Sequence, residues 1–396
     1  MQKKIIAVAV AALASTAAFA QTNVTVYGVV DVQQAFVKSS GVDGANQGSV
    51  GRLDSHGNYI GFKGVEDLGN GLKAVFVYES AFSADAGAAL SGGRDSYIGL
   101  AGGFGTVAAG NLTHPLRAFG AKVELLPGAA GFGTTASVTG TLVGIKTGAD
   151  DRAANAVAYI SPSFSGFTVI GAYVNGEVKT NEADVQSWAI KGSTGVNTLQ
   201  NTVYKGTNSK QYQIAGQYEN GPLFVGAGYH KAKDLLVVGK TALGDLALAE
   251  DGQDARVYRV VAAYTFPTNT KVTALYDNTK VETGDHLAGL TSYLKRSAAS
   301  VGVAQTFGKN TIGLEYAKSF KLKTDGGKVD GTSSNIITAM YGYELSKRTM
   351  LHARVSRLNN GENVNNNFYN LPVANGVSTT YGSDYTGFSV GLRHSF

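Results

Sequence analysis

The chain has 396 residues and no cysteine, with 34 basic and 29 acidic side chains and a net charge of +5. The missing cysteines exclude disulfides and thiolate metal sites, and so weak a charge implies neither nucleic acid nor an acidic surface as a partner. The 52 glycines, 20 tyrosines and 17 phenylalanines, against only 6 prolines, favour many strands and turns over a helical bundle or a disordered chain.

The first twenty residues predict a secretory signal peptide. Lys3 and Lys4 form a basic start, residues 5–13 an apolar core, and Ala-Phe-Ala at 18–20 a cleavage site of small residues. The apolar core is shorter than the roughly 20 residues that a membrane-spanning helix needs, and no stop-transfer segment follows it. We therefore expect an exported protein whose mature chain begins at Gln21.

Apolar and polar residues alternate with period two along most of the remaining chain, as in the stretches 58–66, 311–319 and 387–396. Such alternation predicts β-strands with one apolar face. In the first stretch the parity places Lys63 on the face opposite the apolar one. The last stretch continues to the final residue, so that the chain stops on the aromatic side chain of Phe396.

The connections between these strands alternate strictly between short and long. Short turns are predicted at 66–71, 102–105, 161–166, 219–222, 266–270, 307–310 and 345–348. Longer polar or glycine-rich segments lie near 37–56, 83–93, 112–151, 176–210, 233–254, 281–293, 321–332 and 359–384. These connections imply sixteen strands of about nine to thirteen residues, the length of strand that crosses a bilayer when tilted.

This arrangement predicts an all-β fold, a sixteen-stranded antiparallel transmembrane β-barrel with short periplasmic turns and long extracellular loops. A closed barrel leaves no strand edge in the hydrocarbon, where each unpaired backbone group costs several kcal/mol. Sixteen strands enclose an aqueous channel rather than a packed interior. We expect residues 21–396 to form this single domain, in which the strand that ends at Phe396 closes against the strand that begins near Val24.

Two short motifs mimic enzyme signatures. Residues 69–74 fit the dinucleotide pattern G-x-G-x-x-A, but a strand rather than a helix follows the glycines, so we interpret the segment as a hairpin turn. Residues 387–391 fit G-x-S-x-G, but Ser389 lies within a predicted strand, whereas a hydrolase serine sits on a strand-turn-helix. The six histidines show no metal-ligand spacing. We therefore expect neither an enzyme nor a bound cofactor or metal.

The longest informative connection, residues 112–151, contains two prolines and many glycines. A structureless loop of this length is unusual in a compact domain and tends to be functional. Because a sixteen-stranded barrel has room for it, we expect this third long loop to fold into the lumen and narrow the channel. The alternative is an external, disordered loop.

Six stretches, spread over the chain, match the motifs of one protein family in the same order: VTVYGVVD (24–31), IGFKGVEDLGNGLKAVF (60–76), RDSYIGLAGGFGTV (94–107), RAANAVAYISPSFSGF (152–167), YELSKRT (343–349) and VGLRHSF (390–396). They resemble the Gram-negative general diffusion porins, most closely the beta-proteobacterial branch. The resemblance implies an outer-membrane homotrimer with the third loop in the pore and passive passage of ions and small hydrophilic solutes. It also implies contact with outer-membrane lipid and lipopolysaccharide, and assembly by a machinery that reads the terminal aromatic residue, here Phe396.

The resemblance also implies which residues form the pore constriction, where basic wall residues oppose an acid on the third loop. Lys63 in GFKG, Arg94 in RDSYIGL and Arg152 in RAAN match basic positions of the family. Glu124 is the matching acid on the loop. We therefore expect Glu124 to face a cluster that contains Lys63 and Arg152.

Further charged residues are expected inside the barrel. Arg259, Lys295 and Arg296 add positive charge there, and Asp31, Glu79 and Asp95 oppose it. Parity places Asp95 rather than Arg94 on the lumen side, so Arg94 contributes only if its strand bulges or begins after it. Asn111 stands where family members usually carry arginine, so the pore wall is expected to have fewer basic residues here. The positive and negative charges expected in the lumen therefore nearly balance, and we expect only a weak preference for anions over cations.

Three other functions stay open from the sequence. A substrate-specific channel would bind one class of solute through its loops. A surface adhesin would use the long loops as contact surfaces and would need no conductance. An outer-membrane barrel enzyme would need an oriented serine–histidine pair on the lipid face, and the sequence supplies none.

Overall fold

The computed structural model is an antiparallel β-barrel. The structure describes residues 23–41, 47–125, 132–142, 145–146, 149–179, 185–191, 197–203, 208–233, 237–241, 244–248, 254–282, 291–369, 372 and 381–396. The predicted signal peptide, residues 1–20, lies outside the described residues. Within them, no helix has both the length and the apolar character needed to span a membrane.

Sixteen strands of the described chain form the barrel wall. They are β1 (Asn23–Ser40), β2 (Tyr59–Gly69), β3 (Leu72–Ser83), β4 (Ser96–Gly102), β5 (Gly105–Thr113), β6 (Arg152–Ile160), β7 (Phe167–Lys179), β8 (Asn208–Asn220), β9 (Leu223–Lys233), β10 (Ala255–Thr265), β11 (Thr270–Glu282), β12 (Tyr293–Phe307), β13 (Asn310–Ser319), β14 (Ser334–Glu344), β15 (Thr349–Asn360) and β16 (Asp384–Ser395). Each strand pairs antiparallel with the next. Because β16 also pairs with β1, from Asp384 opposite Ser40 to Ser395 opposite Val29, the sheet is closed. The predicted sixteen-stranded barrel is confirmed.

Short turns and long loops alternate around the barrel as the sequence predicts. Every even-numbered strand up to β14 leads into a short turn, and every odd-numbered strand up to β15 into a long loop. In the turn between β2 and β3, Asn70 and Gly71 have φ angles of 52° and 78°, as a two-residue hairpin of type I′ requires. The nucleotide-like motif is therefore a hairpin turn. Ser389 lies inside β16 with a buried side chain.

The first strand is longer than the sequence predicts. A loop was expected from residue 37, but β1 continues to Ser40, and the strand Gln47–Ser55 pairs back onto its upper half. The alternation simply continues, with Val37 and Ser39 buried and Phe36 exposed on the other face. Ser39 and Ser40 are polar and resemble the start of a turn in the sequence. They extend the strand because β16 pairs with β1 along this whole length.

The two faces of the barrel wall differ in chemistry. Large apolar side chains are exposed on the outer face, among them Ile98 (66% exposed) and Val301 (58%). Buried polar and charged side chains line the inner face, among them Asp31 and Arg259. An apolar exterior around a polar interior is the arrangement that suits a barrel surrounded by lipid.

The long loops carry the remaining regular structure. The helices are α1 (Pro115–Val123) and α2 (Ala136–Thr139), both in the third loop. The short strands outside the barrel wall are Gln47–Ser55, Ala88–Ser91, Thr141–Leu142, Ile145–Lys146, Val185–Lys191, Asn197–Val203, Val237–Thr241, Gly244–Leu248, Lys323–Thr324 and Gly327–Lys328.

The structure places the third loop inside the barrel. Phe119 of α1 packs in a buried cluster with Phe224 of β9 and Val261 of β10. Both partners face inward, because their sequence neighbours Val225 and Val260 are exposed on the outer face. Helix α1 contacts strands β8 to β11, and α2 contacts β12 to β14, so the described parts of the loop cover one side of the inner wall.

The last long loop also enters the barrel and packs on the third loop. The ring centroid of Phe368 lies 4.8 Å from that of Phe132 in the third loop. Thr141 donates a hydrogen bond to Asn366 over 2.9 Å, and the amide of Tyr369 donates one to the hydroxyl of Ser137 over 3.1 Å. The sequence did not predict this second inward loop.

The chain end completes the barrel. The backbone groups of Phe396 and Gly28 exchange two hydrogen bonds of 3.1 Å, one residue beyond the last pair of the β1–β16 ladder. The Phe396 ring lies over Gly28, where an added Cβ would be 2.5 Å from Cζ of the ring. Since the ring is 42% exposed on the outer face, the terminal strand ends on an aromatic group that points toward lipid.

Candidate pore constriction

The helices of the third loop contact strands β8 to β14, and Phe132 of the loop also packs near Val37 of β1 and Gly387 of β16. Strands β2 to β6 line the lumen on the side away from the helices. Charged side chains from these strands reach inward there without being fully covered. They include Lys63, Arg94 and Arg152, three of the residues that the sequence proposes for the constriction. We therefore place the candidate constriction between this wall and α1.

Arg94 reaches the lumen because it precedes its strand. Strand β4 begins at Ser96, so the parity that would turn Arg94 outward does not apply to it. Its Nε lies 3.0 Å from a carboxylate oxygen of Glu79, and its guanidinium lies 4.1 Å from the ring centroid of Tyr59. A cation over an aromatic face is held in position by both contacts.

Arg152 and Asp95 form a second ion pair on the same wall. Nε of Arg152 lies 2.9 Å from Oδ1 of Asp95, which also accepts a hydrogen bond of 2.7 Å from Thr113. The side chain of Asp95 points inward, as its parity predicts. Both partners are partly exposed, at 15% and 24% of their side chains.

Lys63 completes the basic wall without a carboxylate partner. Its Nζ lies 4.9 Å from the ring centroid of Tyr27, whose hydroxyl donates a hydrogen bond of 2.9 Å to Glu79. Among the described residues no carboxylate lies within ion-pair distance of Lys63. Its positive charge is therefore not neutralised locally.

Barrel closure brings together a third charged group that sequence spacing could not reveal. Asp31 of β1 accepts a hydrogen bond from His352 of β15 over 2.9 Å and one from Arg393 of β16 over 3.1 Å. The three residues are far apart in the sequence, and only the pairing of both chain ends places them side by side. Arg393 thereby joins the basic wall.

The third loop contributes cations to the opening. Arg117 of α1 donates a hydrogen bond to the backbone oxygen of Asp150, and no carboxylate of the described chain lies within ion-pair distance of it. Lys122, also in α1, pairs with Glu219 over 2.9 Å. The two residues lie five positions apart in a helix that the sequence did not predict.

His56 lies close to these arginines. It belongs to the first loop, its side chain is partly buried, and the charges of Asp31, Arg94 and Arg117 act on it. Burial is the main cause that lowers the pKa of His56 to about 4; the charge of Asp31 raises this pKa, and those of Arg117 and Arg94 lower it. At neutral pH the imidazole is therefore uncharged.

Glu124 lies elsewhere than the sequence proposed. Instead of facing Lys63 and Arg152, its carboxylate accepts a hydrogen bond of 2.8 Å from Thr134, and its backbone oxygen accepts one of 2.8 Å from Lys271. Burial raises the pKa of Glu124. The loop turns this acid toward the covered wall because its next residue, Leu125, is buried there.

Arg259 faces inward as proposed, but the third loop covers it. It is 1% exposed and holds Asp150 of the loop and Asp277 of the wall. Burial alone would raise the pKa of Asp150, but the guanidinium of Arg259 lowers it below its usual value. The wall residue Arg296 binds Asp277 over 2.7 Å and the loop carbonyl of Thr139 over 2.9 Å. These two arginines anchor the loop rather than line the channel. The expectation that Lys295 lies inside the barrel is wrong, since Leu294 and Arg296 on either side of it are buried inside and Lys295 therefore points outward.

A closed barrel with an apolar outside and a charged, loop-narrowed lumen defines a membrane channel of the bacterial outer membrane. A model of the Gram-negative porin family matches residues 7–363. The outer membrane porin protein 32 of Delftia acidovorans is 31% identical over the full length of both chains. The chain therefore belongs to the Gram-negative porin family, and it is a porin of the outer membrane, as the sequence resemblance predicts.

Three further proteins are similar to this chain. The major outer membrane protein P.IB of Neisseria lactamica is 29% identical over the full length of both chains. Among solved structures, the anion-selective porin from Comamonas acidovorans has a TM-score of 0.66 at 23% identity and covers 95% of this chain and 100% of its own. The trimer form of OmpT from Vibrio cholerae has a TM-score of 0.64 at 15% identity, with 95% and 99% covered.

Proposed function

We propose that the channel passes ions and small hydrophilic solutes by passive diffusion, with a weak preference for anions. One observation carries the preference. Lys63 on the wall and Arg117 on the loop lack a carboxylate partner among the described residues, whereas the other cations of the opening each have one. These pairs are Arg94–Glu79, Arg152–Asp95, Arg393–Asp31 and Lys122–Glu219.

We place Lys63, on the barrel wall, and Arg117, on the third loop, on opposite sides of the opening. A solute that passes between them crosses a region of net positive charge, in which low-dielectric walls concentrate the field. Anions are therefore enriched there and cations depleted. The preference is weak because the remaining charges are balanced in pairs. The name of the related Comamonas protein, an anion-selective porin, supports the same direction.

A salt-gradient measurement in a planar bilayer tests this proposal. The reversal potential of the purified protein should show anion preference at about 0.1 M salt, and the preference should shrink at 1 M, because the Debye length falls from roughly 10 Å to 3 Å. Lys63→Gln with Arg117→Gln should abolish it. A cation-selective wild type, or a double variant with unchanged reversal potential, contradicts the proposal. Absence of any conductance would favour an adhesin instead.

The remaining expectations belong to the same proposal. Residues 1–20 are removed on export, and residues 21–396 form the barrel, which assembles as a homotrimer in outer-membrane lipid and lipopolysaccharide. The barrel-assembly machinery reads Phe396 at the lipid-facing end of β16. Transport needs no reaction, cofactor or energy input. A trimer should migrate as such on an unheated gel and as a monomer after boiling; monomer migration without heating, confirmed by light scattering, counts against it.

A further inference from the structure

Five basic residues form one continuous row on the outer face of the barrel. The register pairs Lys231 of β9 with Arg256 of β10, Arg256 with Lys280 of β11, and Lys280 with Lys295 of β12. Lys295 in turn pairs with Lys323 of the short strand after β13. Directly opposite residues on one face lie about 5 Å apart, so the row spans roughly 19 Å across the strands.

The row faces away from the lumen. On β10 the flanking Ala255 and Val257 are buried inside, so Arg256 points outward, and its side chain is 35% exposed. On β11 the neighbour Thr279 is likewise buried inside. The row therefore lies on the lipid-facing surface. It belongs to strands remote from the β1–β16 seam.

Its height on the barrel corresponds to the extracellular membrane boundary. The strands concerned reach their long loops within a few residues of the row, since β9 ends at Lys233 and β10 begins at Ala255. Two residues below the row, about 7 Å along the strands, Tyr229 faces Tyr258 with ring centroids 4.7 Å apart. Exposed aromatic side chains at this position mark the interface between hydrocarbon and headgroups.

The charges of the row are only partly balanced within the protein. Asp254 lies 2.8 Å from Lys231, and Glu282 lies 3.0 Å from Arg256 and 3.4 Å from Lys280. Among the described residues, no carboxylate lies within ion-pair distance of Lys295 or Lys323, although these two are directly opposite each other. Like charges in that position destabilise a sheet, unless an anion lies between them.

We propose that this row, Lys231, Arg256, Lys280, Lys295 and Lys323, binds the phosphate groups of an outer-leaflet lipid, the bisphosphorylated lipid A part of lipopolysaccharide. The acyl chains then lie on the apolar wall below, with the tyrosines at the headgroup boundary. Lysine and arginine ammonium and guanidinium groups are the side chains that bind phosphate oxygens most strongly. The inference rests on the outer-membrane location and is independent of the proposed ion preference.

Binding of bisphosphorylated lipid A to the detergent-purified protein, measured by native mass spectrometry, tests the proposal. The triple variant Arg256→Gln, Lys295→Gln, Lys323→Gln should bind at least about tenfold more weakly, since each basic residue at a lipid surface contributes several-fold to affinity. The matched control Lys309→Gln, Lys347→Gln, Arg348→Gln removes the same charge from two periplasmic turns and should bind as the wild type does. Unheated gel migration shows that both variants are folded.

Two further measurements distinguish binding of the lipid from binding of a simple anion. Lipid A without its phosphates should bind weakly to the wild type, and inorganic phosphate at millimolar concentration should not displace the bisphosphorylated form. Glu282→Gln, which removes a competing carboxylate, should strengthen binding. Equal loss in the control variant, unchanged affinity in the triple variant, or displacement by inorganic phosphate overturns the proposal. Because the row faces outward, the conductance and reversal potential of the triple variant should equal those of the wild type in every case.

Discussion

Arg259 in the barrel wall holds both carboxylate oxygens of Asp150 in the third loop, over 2.6 Å and 2.7 Å. Arg259 also donates to Asp277 and to the backbone oxygen of Leu116 at the start of α1. One side chain thus joins the two ends of the loop to the wall. Burying such charges is costly unless they are paired in good geometry. Here the guanidinium of Arg259 makes two hydrogen bonds to Asp150, the strong bidentate arrangement, and also binds Asp277.

Loss of this anchor should loosen the third loop. We expect Arg259→Met to lower the free energy of unfolding by about 3–5 kcal/mol, because it leaves the buried carboxylate of Asp150 without its ion-pair partner and Asp277 with Arg296 alone. Denaturant unfolding measures this, and single-channel records should show added current noise. Arg256→Gln, on the outer face of the same strand, is the control and should change neither. If the Arg259 variant has wild-type stability and no added current noise, other contacts hold the loop.

The ion pair Arg152–Asp95 should set part of the selectivity. Replacing Arg152 with alanine removes a positive charge and exposes the carboxylate of Asp95, so the reversal potential in a salt gradient should shift toward cations. Asp95→Asn should shift it toward anions. Both shifts should shrink between about 0.1 M and 1 M salt. If neither variant moves the reversal potential at low salt, these residues do not line the constriction.

Glu124 should affect stability rather than selectivity. Because burial raises its pKa, the folded protein binds this proton more tightly than the unfolded chain, and stability falls as the pH rises through the folded pKa. Glu124→Gln keeps an acceptor for Thr134 and removes that fall. We therefore expect a higher melting temperature at neutral pH and a nearly unchanged reversal potential. A large shift of the reversal potential would place the carboxylate in the channel.

His56 should stay electrically silent in the physiological range. With its pKa lowered to about 4, it carries no charge between about pH 5.5 and pH 8, whereas an ordinary histidine with a pKa near 6.5 would gain charge there. His56→Gln should therefore leave the reversal potential unchanged at both ends of that range. The unfolded chain does bind a proton near pH 6.5, so the wild type, relative to the variant, should lose stability as the pH falls through that value.

The terminal residue should matter for assembly. Deleting Phe396 removes apolar contact worth about 2 kcal/mol in lipid, two hydrogen bonds to Gly28 and the aromatic end group. We expect normal secretion but a sharp drop in folded, heat-modifiable barrel in the outer membrane. Phe396→Tyr, which keeps a terminal ring, is the matched control. Wild-type surface levels of the deletion variant would contradict this expectation.

The barrel could be predicted in detail because its signal is local. Alternation over a few residues defines each strand, and turn residues such as Asn70 and Gly71 define where it reverses. The limits of that signal appear at β1, where Ser39 and Ser40 look like a turn and pair as a strand. The end of β1 is determined there by pairing with β16, which lies at the other end of the sequence.

The interior was less accessible to sequence reasoning. Parity correctly turned Asp95 inward, and the position of Arg94 depended on where β4 begins, which no local pattern shows. The surroundings of Glu124 depend on how the loop packs against β11 and β13, through Lys271 and Glu315. A residue type on a long loop identifies a candidate, but only tertiary contacts decide whether it faces water or protein.

The pairing of β1 with β16 also constrains how the molecule can form. Its first and last strands are separated by almost the entire chain, so this contact has the greatest possible sequence separation and its loop-closure entropy is correspondingly large. Every other wall strand pairs with a neighbour in the sequence, whereas the seam joins the two distant ends of the chain, so we expect it to form last. Until then two long edges remain open, each able to pair with another chain. The last step of folding is thus also the step that removes the hazard of aggregation.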